Sequence, residues 1–349
     1  MNNKRQMIKW TCIALAVFLL AGLAFMGCGP AKPAQMTKIV IAFDWYPYGR
    51  QAPIFLAKDK GWFAEENIEF EYTVAPGRSV EDVANKTADF GQYTIASSVM
   101  LAVQAGMPIT AICGEFQSAE YGFYGRQDML PPEIAEARPR DGYGTIILEP
   151  QDLAGMTIGS SVGSQVQLGT GFLQQTGMAD KTTIQVMDPG SKVGMALEGK
   201  IDSLASVSGT ESYFDGLGGS WRIDFSKGGL GQFPGFAFAV HNDTIRDRPE
   251  VIKAFVRAYL KGLEYAIENP EEALNSLAAN YPETNYDRQL HLLQICIPLL
   301  HTANTQGEPL GWLSEEDFEL SQETLLKWIE GDDLTRRPVS EYFSNEFLP

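Results

Sequence analysis

Short apolar runs alternate with helix-like segments between residues 38 and 125. The run at 39–43 ends at Asp44, and residues 52–63 are predicted to form a helix that closes at Lys60-Gly61. Strands alternating with helices predict an α/β lobe with a mainly parallel sheet. Further predicted strands are 68–74, 88–91 and 109–113, and further predicted helices are 80–86 and 95–105.

A second lobe with the same order of elements is predicted after the stretch 131–144, which is rich in proline and charge. Residues 236–241 then form a strand that returns to the first lobe, and Pro249 begins a long amphipathic helix. Further helices are predicted as far as Trp328, before a polar tail. The second lobe's predicted strands are 156–159, 183–187 and 203–207, with helices after the polar turn SSVGSQ and at 192–198. The predicted lobes are residues 38–125 with 237–349, and residues 126–236.

The N-terminus has the features of a targeting segment. Basic residues precede an apolar stretch too short for a membrane span, and small residues lead to Cys28 in an order that resembles a bacterial lipoprotein box. We expect residues 1–27 to be a signal peptide, Cys28 to be acylated and residues 28–37 to be a tether. The alternative is an ordinary secretory signal cut near Ala31 or Ala34.

Composition narrows the function classes. The formal net charge of the 349 residues is −17, which argues against binding nucleic acid or an anionic membrane through the folded surface. The length is ample for two lobes with separate cores. Cys113 and Cys296 lie in apolar contexts, where a buried free thiol is the favoured interpretation, although a disulfide between them stays open.

Three polar turns, at 44–51, 91–98 and 159–164, follow predicted strands and open predicted helices. Ligands of open α/β sheets bind at this end of the strands, where helix N-termini offer backbone N–H groups. The first turn adds three large aromatic side chains, which are costly at a surface unless something covers them. Simple helix capping is the alternative for Ser164. The ligand-binding candidates from these turns are Trp45, Tyr46, Tyr48, Arg50, Gln51, Gln92, Tyr93, Thr94, Ser160, Ser161 and Ser164.

Four further candidates follow later strands. Gln117 lies where the chain is expected to cross between the lobes, with a plain hinge loop as the alternative. Ser208 and Glu211 follow a strand of the second lobe, and Glu211 could accept a hydrogen bond from an exocyclic amine or be an ordinary surface acid. Phe233 could supply an aromatic wall to the cleft.

A family resemblance rests on several blocks in order. The blocks are DWYP with FLAKDKGWFAEENIEFE, TADFGQYTIASSVMLAVQAGMPITAI, LEPQDLAGMTIGSS, ALEGKIDSL and VIKAFVRAYLKGLEYAIENPEEAL. Together they resemble the substrate-binding proteins of bacterial ABC transporters for thiamine precursors, alkanesulfonates and nitrate. The thiamine-precursor branch typically has Asn-Thr-x-His after the proline. Here Gln51 falls at the histidine position and Arg50 adds a cation able to pair with an anionic group.

The resemblance implies a two-lobed periplasmic-binding-protein type II clamp. It implies an extracytoplasmic, lipid-anchored monomer that closes on a small aromatic or heteroaromatic solute, such as a pyrimidine thiamine precursor, and delivers it to an ABC permease and its ATPase. Alkanesulfonate, taurine or nitrate is the alternative ligand class, and a sensing role is an alternative to transport.

An enzyme resembling the pyrimidine synthase of the same fold is the least favoured hypothesis. His241, His291 and His301 are far apart in sequence, and we find no H-x-x-x-H pair and no P-loop. No catalytic residue, cofactor, metal or nucleic-acid partner is therefore expected.

Overall fold

The computed structural model describes residues 36–93, 95–118, 121–161, 164–228, 234–328 and 334–349. The expected signal peptide, Cys28 and nearly all of the expected tether lie outside these residues, as do Thr94 and Phe233. None of the helices in the described ranges is long and apolar enough to cross a membrane.

The strands are β1 (Thr37–Phe43), β2 (Ile68–Val74), β3 (Phe90–Tyr93), β4 (Ile109–Gly114), β5 (Tyr121–Arg126), β6 (Ile146–Ile147), β7 (Thr157–Ser160), β8 (Thr183–Val186), β9 (Ser203–Val207), β10 (Ser220–Asp224) and β11 (Ala237–His241). The helices are α1 (Ala52–Asp59), α2 (Trp62–Glu65), α3 (Ser79–Ala84), α4 (Ala96–Gln104), α5 (Pro132–Ala137), α6 (Ser164–Gln175), α7 (Pro189–Leu197), α8 (Asn242–Asp247), α9 (Pro249–Glu268), α10 (Pro270–Asn280), α11 (Tyr286–Cys296) and α12 (Glu315–Trp328).

Two sheets build the two lobes, as the sequence predicts. The first has the strand order β2-β1-β3-β11-β4 and the second has the order β6-β10-β5-β9-β7-β8. β5 belongs to the second sheet, so that sheet begins at Tyr121, slightly before the lobe limit expected from sequence.

Both sheets are mixed rather than mainly parallel. β1 runs parallel to β2 and β3, and β7 runs parallel to β8 and β9. Among the eleven strands described, every antiparallel pair of strands involves β5 or β11, each of which is the first strand after the chain passes from one sheet to the other. A strand that enters from the opposite lobe does not come from a right-handed strand-helix-strand unit, so nothing forces it to be parallel to its neighbours.

The amphipathic helix α9 covers the first sheet because its apolar positions share one face. Phe255 is fully buried and stacks on Phe90 with ring centroids 4.1 Å apart, and Tyr259 packs edge-on against Phe238 at 4.9 Å. Burying one such aromatic side chain contributes roughly 1.5–3 kcal/mol. This face holds α9 against the first sheet.

Two local expectations need correction. The helix predicted over 52–63 is divided into α1 and α2, because Gly61 adopts a φ of 77°, a left-handed conformation that ends α1. The polar tail is also packed on the fold, since Tyr342 is fully buried and Phe343 pairs with Ala111 of β4. The charged residues of the tail make its composition polar, so composition alone does not predict that these two aromatic side chains pack on the fold.

Cys113 and Cys296 are both buried free thiols. Burial raises the pKa of the Cys296 thiol to about 11, while nearby Arg50 partly opposes the rise. The favoured interpretation of the two cysteines is therefore confirmed, and neither is an activated nucleophile.

Candidate functional site

A cavity of about 640 Å³ lies between the two lobes. The first lobe contributes the turn after β1, the segment after β2 and the end of β3, and the second contributes the residues after β7 and β9 and part of α7. These are carboxyl ends of strands, where open α/β sheets bind ligands. The volume is typical of pockets for small organic molecules.

The structure brings together part of the predicted set. The predicted residues that line the cavity are Trp45, Tyr48, Arg50, Tyr93, Ser161 and Ser208. The predicted residues that are buried without lining it are Gln51, Gln92, Gln117, Ser160 and Glu211. Tyr46 is half exposed and touches Trp45 edge-on. The backbone of Ser164 begins α6, but its side chain lies outside the described part of the structure.

Helix α11 holds the aromatic turn after β1 in place. The Gly49 N–H donates to Gln289 Oε1 at 2.7 Å, and a Cβ added at Gly49 would lie 2.4 Å from the Gln289 carbonyl oxygen. Only glycine allows this close approach of the two backbones. The Tyr48 N–H donates to Gln51 Oε1 at 3.1 Å, which tightens the same turn. The turn is thus positioned by packing as well as by its own sequence.

Aromatic side chains from both lobes meet at the cavity. Trp45 is partly buried and hydrogen-bonds Tyr213, which follows β9 in the second lobe. Tyr48 lines the cavity beside them, and burial raises the pKa of its hydroxyl well above the usual range, so it stays neutral. An indole and two neutral phenols provide flat apolar faces with polar edges.

Arg50 is fully buried at the cavity wall. Its guanidinium lies 3.8 Å from the centre of the Phe236 ring, and its Nη2 donates to the carbonyl oxygen of Ser208 in the second lobe. Among the described residues, its Nε and Nη1 have no hydrogen-bond partner. Buried donors are normally satisfied, so these two N–H groups are available to hydrogen-bond an acceptor on a ligand.

Tyr93 presents a second unsatisfied group. Its side chain is fully buried and lines the cavity, and its hydroxyl has no hydrogen-bond partner within the described ranges. Burial and the charge of Glu115 raise the pKa of this hydroxyl, so it remains a neutral donor and acceptor.

A buried hydrogen-bond chain runs beneath this wall. Gln51 Nε2 donates to Gln92 Oε1 at 2.6 Å, and Gln92 Nε2 donates to Glu115 Oε2 at 2.6 Å. The other oxygen of Glu115 accepts from the Tyr259 hydroxyl at 2.7 Å. Burial raises the pKa of Glu115 to about 7, against the opposing effects of these bonds and of Arg50. The predicted residues Gln51 and Gln92 therefore fix the first-lobe wall from below.

Lys192, on α7, is a lining residue that sequence reasoning missed. It is 4% exposed, and its ammonium donates to Gln165 Oε1 at 2.7 Å and to the Ala205 carbonyl oxygen at 2.9 Å. Burial lowers its pKa to about 8. The available signal was its place in a helix that begins directly after a strand end, as the three polar turns do.

The lobes also touch beside the cavity. His291 Nδ1 of α11 lies 2.6 Å from Asp215 Oδ2 of the second lobe, and a Cβ at Gly209 would lie 3.2 Å from the Leu292 side chain. These contacts and the bond from Arg50 to Ser208 link the lobes across the cleft.

The chemistry of the lining suits the binding of a small organic molecule. The described lining contains aromatic faces, hydroxyls, three cationic residues (Arg50, Arg78 and Lys192) and two acidic ones (Asp44 and Glu81), but neither cysteine nor histidine. No group of three or more histidine, cysteine or acidic side chains able to hold a metal is present in the described ranges. Such lining can stack on a ring and donate hydrogen bonds to its substituents.

Comparisons with known proteins agree with this architecture. The family described as NMT1/THI5 like matches residues 49–130 and 141–273, which is more than half of the chain. The chain belongs to this family, and the resemblance and two-lobed clamp predicted from sequence are confirmed.

Named relatives span most of the chain. The formylaminopyrimidine-binding protein of Halalkalibacterium halodurans is 24% identical over 95% of this chain and 96% of its own length. The riboflavin-binding protein RibY of Chloroflexus aurantiacus is 25% identical over 92% and 89%. A 4-amino-5-hydroxymethyl-2-methylpyrimidine phosphate synthase of Legionella pneumophila is 26% identical over 72% and 77%. In structure, the alkanesulfonate-binding protein SsuA of Xanthomonas axonopodis has a TM-score of 0.62 at 14% identity, covering 90% of this chain and 99% of SsuA, which is a likeness of fold.

Proposed function

We propose that this protein is the solute-binding component of an ABC importer. It binds a small aromatic or heteroaromatic solute between its lobes and delivers that solute to a membrane permease. The observation that carries the proposal is the cavity between the lobes, in whose wall Arg50 Nε and Nη1 and the Tyr93 hydroxyl are buried without a hydrogen-bond partner among the described residues. A bound solute would satisfy these groups and keep the lobes closed.

The ring character of the ligand is supported by Trp45, Tyr48 and Tyr213, which face one cavity from both lobes. Relatives named for a formylaminopyrimidine and for riboflavin support the same class. Alkanesulfonates or nitrate form the second candidate class, supported by the fold of the alkanesulfonate-binding protein and by Arg50. We favour a ring because stacking surface dominates the turn after β1.

Location and assembly follow from the same proposal. Acylation of Cys28 would hold the protein on the extracytoplasmic face of the cell membrane, with residues 28–37 as a tether. The protein would act there as a monomer beside its permease and ATPase. A mass measurement of the mature protein, before and after mild alkaline hydrolysis, tests the lipid anchor.

We propose binding without turnover, although one relative is named as a synthase. The proposal is supported by the described lining, which offers no cysteine or histidine nucleophile. Incubation with a ligand that binds, followed by mass spectrometry of that ligand, should recover it unchanged.

The binding test is a thermal-shift screen with pyrimidines, flavins, aromatic carboxylates, taurine and nitrate. A ligand that binds only the folded protein raises its Tm. Binding by taurine or nitrate alone would favour the second ligand class, and failure of every solute to raise the Tm would contradict the proposed function.

Trp45→Ala tests the stacking contact, with Tyr46→Ala as the matched control. Loss of stacking on one aromatic side chain costs about 1–3 kcal/mol, so we expect Trp45→Ala to weaken binding roughly tenfold or more. Tyr46 is half exposed and does not line the cavity, so its variant should bind nearly as the wild type does. Equal affinities for the wild type and Trp45→Ala in a calorimetric titration would remove the stacking argument.

A further inference from the structure

The cavity contains two buried cations, one from each lobe. Arg50 is 0% exposed in the turn after β1, and Lys192 is 4% exposed on α7. Both line the same cavity. Lysine and arginine are rarely buried unless they are paired with an acid.

Neither cation has an ion pair with an acid in the described part of the chain. Both bonds of the Lys192 ammonium go to neutral oxygens, and the lowering of its pKa is due to burial alone, with no acid raising it. Arg50 donates to a neutral carbonyl oxygen. Glu115 offsets part of the Arg50 charge from beneath, but both Glu115 oxygens already accept hydrogen bonds.

The carboxylates of the cavity do not replace a partner. Asp44 and Glu81 line it from the first lobe, and each is partly exposed to water. Neither forms an ion pair with Arg50 or Lys192 in the ranges described. Arg50 and Lys192 are thus the buried charged residues of the lining, whereas Arg78 is exposed and Asp44 and Glu81 are partly exposed, with only Glu81 Oε2 buried and without a hydrogen-bond partner in the described ranges.

Removing a cation from water without a counter-charge is costly. A negative group that enters the cavity would offset this cost at the cation it meets. A ligand with an anionic group would satisfy the free N–H groups of Arg50, compensate Lys192 and favour the closed state through its greater affinity for it.

We propose that the solute carries an anionic oxygen group, a carboxylate or a phosphate, whose charge is compensated by Arg50 and Lys192. The inference rests on the proposed function and deepens it, because it assigns the solute to the acidic members of the ring class. Neutral rings of the same size bind weakly.

The test compares anionic and neutral partners of one ring. Orotate is measured against uracil, nicotinate against nicotinamide, and flavin mononucleotide against riboflavin, by thermal shift and calorimetry. The first two pairs test a carboxylate and the third tests a phosphate. We expect the anionic member of at least one pair to bind at least tenfold more tightly than its neutral partner. Lys192→Met should abolish that preference, whereas Lys200→Met, at a side chain that is 64% exposed, should keep it.

Preference for the neutral members, or an unchanged preference in Lys192→Met, would overturn the proposal while leaving solute binding intact. If no compound raises the Tm, the ligand-free proteins decide the question. A buried cation whose counter-charge comes from the ligand destabilises the ligand-free protein. The Tm of ligand-free Lys192→Met should then be a few degrees higher than that of the wild type. A lower Tm for Lys192→Met than for Lys200→Met would assign Lys192 a structural role and overturn the proposal.

Discussion

Glu115→Gln is the most direct test of the electrostatics beneath the cavity. The Glu115 carboxyl is fully buried, and its pKa rises from 4.5 to about 7. A carboxyl whose pKa is raised on folding stabilises the protein most at low pH, and this contribution is lost as the pH rises from 4.5 through 7. At about 1.4 kcal/mol per pKa unit, the whole rise is worth about 3 kcal/mol, most of which falls between pH 5 and pH 8.

The assay is urea unfolding of the wild type and Glu115→Gln at pH 5 and pH 8. Glutamine keeps an oxygen that can accept from Tyr259 or Gln92, but it does not titrate. The wild type should therefore lose about 2–3 kcal/mol of stability relative to the variant between the two pH values. Glu71→Gln, at an exposed position of β2, is the control and should follow the wild type. A difference between wild type and Glu115→Gln that does not change with pH would refute the reasoning.

Two further predictions concern the contacts of α11. Gly49→Ala should destabilise the protein by about 2–4 kcal/mol in urea unfolding, because the added Cβ meets the Gln289 carbonyl oxygen at 2.4 Å; stability equal to that of the wild type would show that the turn can move away from α11. Asp215→Asn should weaken ligand binding less than tenfold, mainly through faster dissociation in stopped-flow measurements, because its bond to His291 is partly exposed and links the lobes. An unchanged dissociation rate would mean that this pair does not contribute to closure.

Much of the fold is predictable because its signals are local. The alternation at 68–74 predicts β2, and the apolar stripe of α9 predicts its packing on a sheet. The direction of β5 and β11 was not predictable in this way, since it depends on where the chain crosses between lobes and not on residue pattern. The burial of Tyr342 was not predictable from sequence either, because a single aromatic residue among charged ones has no periodicity.

Some residues of the candidate site were likewise predictable from sequence and others were not. Trp45 and Arg50 were found because they follow a strand end, which is a property of sequence order. Lys192 was missed because a lysine near the start of an amphipathic helix has the pattern of a surface residue, and only the packing of α7 buries it. Gln51 and Gln92 were placed near the ligand, but the structure shows them bonded to each other, which no spacing rule reveals.

The position of β11 has a consequence for biosynthesis. It lies between β3 and β4, yet it follows every strand of the second sheet in the chain. While the polypeptide is being made, the first sheet has a gap that cannot be filled until residue 241 leaves the ribosome, whereas all strands of the second sheet have emerged by residue 224. The second sheet can therefore be completed before the first sheet during synthesis, although the first sheet contains the N-terminal strands.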